Sequence, residues 1–204
     1  MKIIAIRHAK TSWNEKKLLQ GRKDISIIYP DAKDLKRLKS NKEKLDLEKG
    51  HTHIFTSQLK RTRETALLHG FSFKDLQVSD LLNEIDFGDI WEGKDRESID
   101  DVWKEALTYP DREVFAESIS SFTDRIKDFV SQVESLDKIL VFGHGLWMRA
   151  LLSLLEHGSV EYMNQYLVDS GLNSMLINNA EEFHSSLLDN FDTSGLDAYN
   201  INGC

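Results

Sequence analysis

Two short apolar runs, one at the start of the chain and one about two-thirds along it, stop in the same way. Ile3, Ile4, Ala5 and Ile6 run into Arg7-His8, and residues 138–142 (KILVF) run into Gly143-His144-Gly145, after which a helical pattern begins. A short apolar run bounded by polar or glycine positions reads as a strand buried on both faces. Strands of that kind belong to parallel sheets covered by helices, so the pattern points to an α/β fold: a mostly parallel sheet with helices on both faces. In open sheets of this type, ligands bind in the crevice outside the carboxyl ends of the strands. An arginine and two histidines stand at that edge, and the chemistry of the chain is expected there.

Composition narrows the classes of function. With 204 residues, 40% of them hydrophobic, the chain can bury a full core as one domain spanning 1–204. The 26 basic against 34 acidic residues give a net charge of -8, which argues against a nucleic-acid or anionic-membrane surface. Any anion site must therefore be local. The one cysteine, Cys204, is the last residue, so there is no disulfide framework and no thiol placed for nucleophilic catalysis. Met1-Lys2 lead straight into the first strand without a signal-type apolar region, and no apolar run approaches the roughly 20 residues of a membrane span. The expectation is a cytoplasmic protein without a nucleic-acid or membrane partner. Nothing in the sequence sets an oligomeric state.

The connecting segments carry the remaining signals. Loop 10–24 contains Lys10, Thr11, Ser12, Asn14, Gln20, Arg22 and Lys23, which suit either an anion or plain solvent. A helix is expected from Pro30-Asp31, with Leu35, Leu38, Leu45 and Leu47 too sparse to bury much of it. Residues 53–56 read as a second strand, with Ser57 as the cap of a helix over 58–69. Lys60, Arg61 and Arg63 open that helix, an unfavourable placement at the positive end of a helix dipole unless an anion is near. Residues 76–78 suggest a short third strand. Segment 81–93 (LLNEIDFGDIWEG) reads as an ordered loop with aromatic anchors, where an acid held against Phe87 or Trp91 would be kept protonated, or else as a set of surface acids.

A helix over 96–108 is expected to form part of a cap spanning 95–117. The clearest helix covers 117–136, where Ile119, Phe122, Ile126, Phe129, Val130 and Val133 recur at three- and four-residue spacing. Residues 146–155 are apolar all round and predict a buried helix whose amino end aims at whatever His144 touches. Residues 175–177 suggest a last interior strand, and the polar tail from 189 is expected to be peripheral.

Six segments recur in a familiar order: IIAIRHAKTSWN (3–14), QGRKD (20–24), SQLKRTRETA (57–66), LNEIDFGDIWEG (82–93), AES (116–118) and VFGHG (141–145). Together they resemble the motifs of the histidine phosphatase (phosphoglycerate mutase-like) superfamily, over residues 1–180. The resemblance implies a phosphoglycerate mutase-like fold with a small helical cap. It implies His8 as a nucleophile that takes the phosphoryl group as a phosphohistidine, with Arg7 as a phosphate clamp, Arg61 as the arginine after the second strand and His144 as the second pocket histidine. Glu84 matches the acid that protonates the leaving oxygen, Asn14 an amide on the transferred group, and Gln20 and Gly21 a rim that reads the substrate. No metal or other cofactor is implied. Ala9 and Lys10 stand where the family usually has a glycine and an acid, and Ala116 replaces a usual glycine, so the turn is more crowded and the pocket more positive.

The residue types suit that chemistry on their own terms. A phosphoryl group in transfer spreads negative charge over its equatorial oxygens, so catalysis is mostly positioning and electrostatic stabilisation by fixed cations and amides. Arg7, Arg61, His144 and the Gly145 amide supply these, and a guanidinium fork meets two phosphate oxygens where a lysine meets one. Imidazole attacks only through a neutral nitrogen, so a backbone carbonyl is expected to hold the other ring nitrogen of His8. Glu84 can give its proton to the departing alkoxide and then activate water. The expected activity is metal-independent hydrolysis of a small phosphorylated metabolite. A phosphoglycerate mutase is the nearest alternative, although the chain is short for the walls that would exclude water. A phospho-ligand or phosphoprotein-binding module is the other, although it would have no use for Glu84. The chain contains no Gly-x-Ser-x-Gly elbow and no P-loop, and arginines beside the strand-end histidines would repel a metal pair. His51, His53, His69, His157 and His184 are expected to be surface or structural.

Overall fold

A five-stranded sheet forms the centre of the computed structural model, which describes residues 1–47, 53–166, 168 and 174–178. The strands are β1 (Lys2–Arg7), β2 (His53–Thr56), β3 (Leu76–Val78), β4 (Lys138–Gly143) and β5 (Ser174–Asn178), in the spatial order β3-β2-β4-β1-β5. The three pairings among the first four strands are parallel, and β5 runs antiparallel to β1 at the edge. The expected interior strand at 175–177 is therefore an antiparallel edge. A short apolar run carries no signal of direction or lateral position, and those come from where the preceding chain returns to the sheet.

The helices are α1 (Ser12–Glu15), α2 (Ala32–Leu47), α3 (Lys60–Leu68), α4 (Asp100–Thr108), α5 (Ile119–Val133) and α6 (Gly145–His157). Alternation along the two central strands divides the core. Ile3 and Ala5 of β1 and Ile139 and Val141 of β4 join Phe122, Ile126 and Phe129 of α5 and Trp147, Met148 and Leu151 of α6 in one apolar cluster. Ile4, Ile6, Leu140 and Phe142 point the other way and meet Ala66 of α3. Successive strand side chains leave opposite faces, so an all-apolar strand requires cover on both. α3, which follows β2, and α6, which follows β4, thus lie on opposite faces of the sheet, an arrangement that opens a crevice at the strand ends. Among the described residues, no helix is long and apolar enough to cross a membrane.

Two helix starts differ from the sequence reading. α2 begins at Ala32, where Asp31 Oδ1 accepts from the Asp34 amide at 2.8 Å, so Asp31 caps the helix instead of lying inside it. α3 begins at Lys60 with Leu59 as its cap residue, and Ser57 does not cap it. The Lys60 amide instead donates to Asp24 Oδ1 at 2.7 Å, which brings a carboxylate from the first loop to the positive end of this basic helix. The cap segment folds as a turn of 3-10 helix (Arg96–Ile99) followed by α4. It is anchored by a ring cluster in which Phe115 meets Phe87 edge-on at 4.9 Å and Trp103 at 5.6 Å. The tail from 189, His51, His184 and Cys204 lie outside the described residues.

Candidate active site

Strand register brings the predicted residues together. Arg7 pairs with Gly143, and Thr56 pairs with Phe142, so the residues just beyond each strand stand side by side: His8, His144 and Ser57. The His8 amide donates to the Gly143 carbonyl at 3.0 Å, and the two imidazole rings lie 5.3 Å apart. Both histidines are buried.

The Nδ1 atom of His8 lies 2.7 Å from the Ala9 carbonyl oxygen. A carbonyl only accepts, so Nδ1 carries the proton and Nε2 keeps its lone pair. Burial, with Arg61 and Arg7 nearby, pushes the His8 pKa well below the ordinary histidine value, so the ring is neutral at physiological pH. The turn that holds it is tied to α3, because the Ala9 amide donates to Thr65 Oγ1 at 2.9 Å and Thr65 donates to the Arg61 carbonyl at 2.6 Å.

Arg61 is fully buried, and its donors meet acceptors behind the nucleophile. Nη1 and Nη2 donate to the carbonyls of Lys23 and Gly21 at 2.9 and 2.7 Å, and Nε donates to His144 Nδ1 at 3.2 Å. An arginine has no acceptor to offer, so His144 carries its proton on Nε2, 2.8 Å from Ser57 Oγ. Ser57 in turn meets Thr62 Oγ1 at 2.8 Å, and Thr62 donates to the Leu59 carbonyl at 2.8 Å. Burial and the Arg61 charge push the His144 pKa well below the ordinary value. Burial lowers Arg61 to about 10, which leaves it charged at neutral pH. Gly21 is required by crowding: a Cβ there would lie 2.5 Å from the Ile85 carbonyl oxygen and 2.6 Å from Glu92 Oε1. Its part in the site is to lend a carbonyl to Arg61.

Arg7 and Glu84 flank the first turn of α6. The Arg7 guanidinium lies against Gly145, where a Cβ would come within 3.0 Å of Cζ, and its Nη1 donates to the Val168 carbonyl. Glu84 reaches the amino end of α6, with Oε2 accepting from the Leu146 amide at 3.0 Å and Oε1 from the Trp147 amide at 3.1 Å. These amides are helix-end donors without an intrahelical partner, and the dipole there favours an acidic side chain. Backbone amides hold Glu84, and the rings of the loop, Phe87 and Trp91, pack on Phe115 of the cap. Glu92 is the loop acid whose pKa burial raises.

A cavity of about 360 Å³ opens in front of these groups. Arg7, His8, Asn14, Gln20, Glu84 and Gly145 line it, whereas Arg61, His144 and Gly21 stand behind the wall. Gln20 Oε1 accepts from Thr11 Oγ1 at 2.7 Å, while its Nε2 is buried without a protein partner. Asn14 Oδ1 accepts from the Thr11 amide at 3.0 Å in a capping box that fixes α1. The far wall brings residues the sequence reading did not assign, namely Arg96, Trp103 and Asp100 of the cap, Arg149 of α6, and Tyr166. Among the described residues, no three His, Cys, Asp or Glu side chains are grouped as metal ligands would be.

Support for the Glu84 loop also escaped the sequence reading. Arg125 of α5 donates to the carbonyls of Leu81, Asn83 and Glu84 and pairs with Glu117. One signal was present: Arg125 sits on the apolar stripe of α5, three residues after Phe122, where a charge needs a buried partner.

The fold is α/β, with the candidate site at the carboxyl ends of its parallel strands. The family model of the histidine phosphatase superfamily (branch 1) matches residues 3–189, and the chain belongs to that superfamily. Phosphoserine phosphatase 1 of Hydrogenobacter thermophilus is 31% identical over 168 residues, 76% of this chain and 76% of that protein. The 2,3-bisphosphoglycerate-dependent phosphoglycerate mutase of Methylorubrum populi is 27% identical over 173 residues, 76% of this chain and 78% of that protein. Among solved structures, a phosphoglycerate mutase from Thermus thermophilus superposes with a TM-score of 0.64 at 27% identity, covering 87% of this chain and 93% of that one.

Proposed function

We propose that this protein is a metal-independent phosphomonoesterase that acts on a small phosphorylated metabolite through a phosphohistidine at His8. The observation that carries the reading is the fixed tautomer of His8: Nδ1 is committed to the Ala9 carbonyl, and Nε2 is left as a neutral nucleophile on a cavity that also holds Arg7 and Glu84. In the first step His8 Nε2 forms a bond to phosphorus as the phosphorus–oxygen bond to the alcohol breaks. Glu84 is the acid that delivers a proton to the departing oxygen. In the second step Glu84 takes a proton from water, whose oxygen attacks phosphorus and releases His8 and inorganic phosphate.

The remaining groups manage charge. Arg7, the Gly145 amide and the unpartnered Nε2 of Gln20 are donors for the equatorial oxygens of the transferred group. Arg61 and His144 act from behind, Arg61 as a buried cation beside His8 and His144 as a neutral ring fixed between Arg61 and Ser57. The relatives include proteins named phosphatase and mutase, and hydrolysis is favoured here by a cavity that water can enter. The test is release of phosphate from p-nitrophenyl phosphate and a panel of small phosphomonoesters in EDTA, for the unmodified protein and for His8→Ala. Turnover that survives EDTA and disappears with His8 supports the proposal. Transfer of the phosphoryl group between phosphoglycerates without phosphate release would replace it with the mutase reading, and binding without turnover with the binding-module reading.

A further inference from the structure

Glu84 is held at both ends, and only one of its two supports belongs to the pocket. Its carboxylate rests on the amides of α6. Its backbone rests on Arg125, which lies outside the cavity. Arg125 Nη1 donates to the Leu81 and Asn83 carbonyls at 3.0 and 2.7 Å, and Nη2 donates to the Glu84 carbonyl at 3.1 Å. The same guanidinium pairs with both oxygens of Glu117, Nε to Oε1 at 2.5 Å and Nη2 to Oε2 at 3.0 Å. Glu117 closes the loop from the other side: its Oε2 accepts from the Asp86 amide at 3.0 Å, and its own amide donates to the Asp86 carbonyl at 3.0 Å. Arg22 adds a second, longer contact to Glu117 at 3.4 Å.

The pair is nearly dry, with side-chain exposures of 12% for Arg125 and 8% for Glu117. Burial works against the charge of Glu117, and the Arg125 hydrogen bond and charge more than offset it, so its carboxyl lies below the usual range. The Arg125 guanidinium also sits over the Phe122 ring at 4.7 Å, which fixes its plane. A planar fork that meets three carbonyls of one turn and a carboxylate at once is a geometry lysine does not reproduce. It is also more than a helix needs for packing alone, because Phe122, Ile126 and Phe129 already bury that face of α5.

We propose that the Arg125–Glu117 pair is the positioning device for Glu84: it sets the height of the 81–86 turn over the amino end of α6, and so places the proton that goes to the leaving oxygen. The proposal rests on the acid role of Glu84 given above and extends it to two residues that never touch substrate. Its signature is selectivity for the leaving group. An activated aryl phosphate departs without a proton, whereas an alkyl phosphate needs one, and an acid displaced by about 1 Å loses on the order of 10²-fold.

The experiment compares Arg125→Lys, Glu117→Gln and Glu84→Gln, alone and as the double variant Arg125→Lys/Glu84→Gln. kcat/KM is measured on p-nitrophenyl phosphate and on an alkyl phosphate that the unmodified protein hydrolyses, with melting temperature recorded alongside. The expected result is a loss of about 10- to 100-fold on the alkyl ester, with at most a few-fold on the aryl ester, for Arg125→Lys and Glu117→Gln. In the double variant the alkyl loss should equal that of Glu84→Gln alone, because both changes act on one proton. Equal losses on both esters, or losses that multiply in the double variant, would overturn the positioning role. Should Arg125→Lys fail to fold, Glu117→Gln decides the matter, since it keeps the shape and one acceptor oxygen. A Glu84→Gln variant without leaving-group dependence would instead remove the acid role itself, which is a separate failure.

Discussion

Replacing Gly145 with alanine tests the phosphate clamp without touching a charged group. A methyl group at this position would lie 3.0 Å from Arg7 Cζ and 3.1 Å from both Nε and Nη2. Non-bonded carbon contacts settle at about 3.5–4.0 Å, so the guanidinium must retreat by about 0.5 Å or more. Its Nη1 is anchored on the Val168 carbonyl, so the retreat tilts the fork instead of translating it cleanly. A misplacement of this size lowers kcat/KM by about 10- to 100-fold. Because the proposed role of Arg7 is to grip the phosphoryl group itself, the loss should be the same for aryl and alkyl esters. Stability should move the other way: Gly145 opens α6 with ordinary helical backbone, and alanine is the better helix former by up to about 1 kcal/mol. The assay pairs steady-state kinetics on both esters with a thermal melt of the same preparation. A folded Gly145→Ala protein with activity within about twofold of the unmodified chain would refute the argument that Arg7 works from its seat on Gly145.

Three further outcomes follow from the same geometry. Glu84→Gln should lower kcat/KM, which reports the first phosphoryl transfer, by about 10²-fold or more on alkyl phosphates and far less on p-nitrophenyl phosphate; a uniform loss of kcat/KM across leaving groups would take the acid role from Glu84. Ser57→Ala removes the acceptor of the His144 Nε2 proton and should reduce turnover by about tenfold, with Ser57→Thr restoring most of it; no change in the alanine variant would show that the His144 tautomer is fixed without Ser57. His69 is buried against Phe142, donates through Nδ1 to the Thr65 carbonyl, and has its pKa lowered by burial to about 4. Its neutral form is the folded one, so its contribution to stability is complete above pH 6.5. It falls away between pH 6.5 and 4 by about 3 kcal/mol in total, as the unfolded chain takes up the proton first. Denaturant midpoints across that range should drop more steeply for the unmodified chain than for His69→Gln, and equal slopes would contradict it.

Much of this was legible because the informative elements are local. The runs at 3–6 and 138–142 are apolar at every position, and α5 repeats its large apolar residues at helical spacing, so strand, helix and two-sided burial could all be read from short windows. The strand ends marked His8 and His144, and the requirement for a neutral nucleophile predicted the carbonyl that the Ala9 backbone supplies. What escaped is what depends on distant partners. The cap residue of α3 is Leu59, and the side chain that meets the Lys60 amide is Asp24, in the loop after β1, so the nearby Ser57 was the natural but mistaken candidate. Ser57 is instead carried to His144 by the pairing of β2 with β4, which no local pattern encodes. Arg61 matched a motif, yet its donors are spent on the carbonyls of Gly21 and Lys23 and on His144, a contact set that only the folded loop defines. The direction of β5 and the Arg125 clamp escaped for the same reason.

The most direct test of the account is to trap the phosphoryl group. Brief incubation with p-nitrophenyl phosphate, a denaturing quench at high pH and peptide mass spectrometry should place one phosphoryl group on the peptide that contains His8. The adduct should be stable in base, lost in acid, formed in EDTA, enriched in Glu84→Gln and absent from a folded His8→Ala protein. Turnover that persists in His8→Ala, or a phosphoryl group trapped on any other residue, would contradict the account.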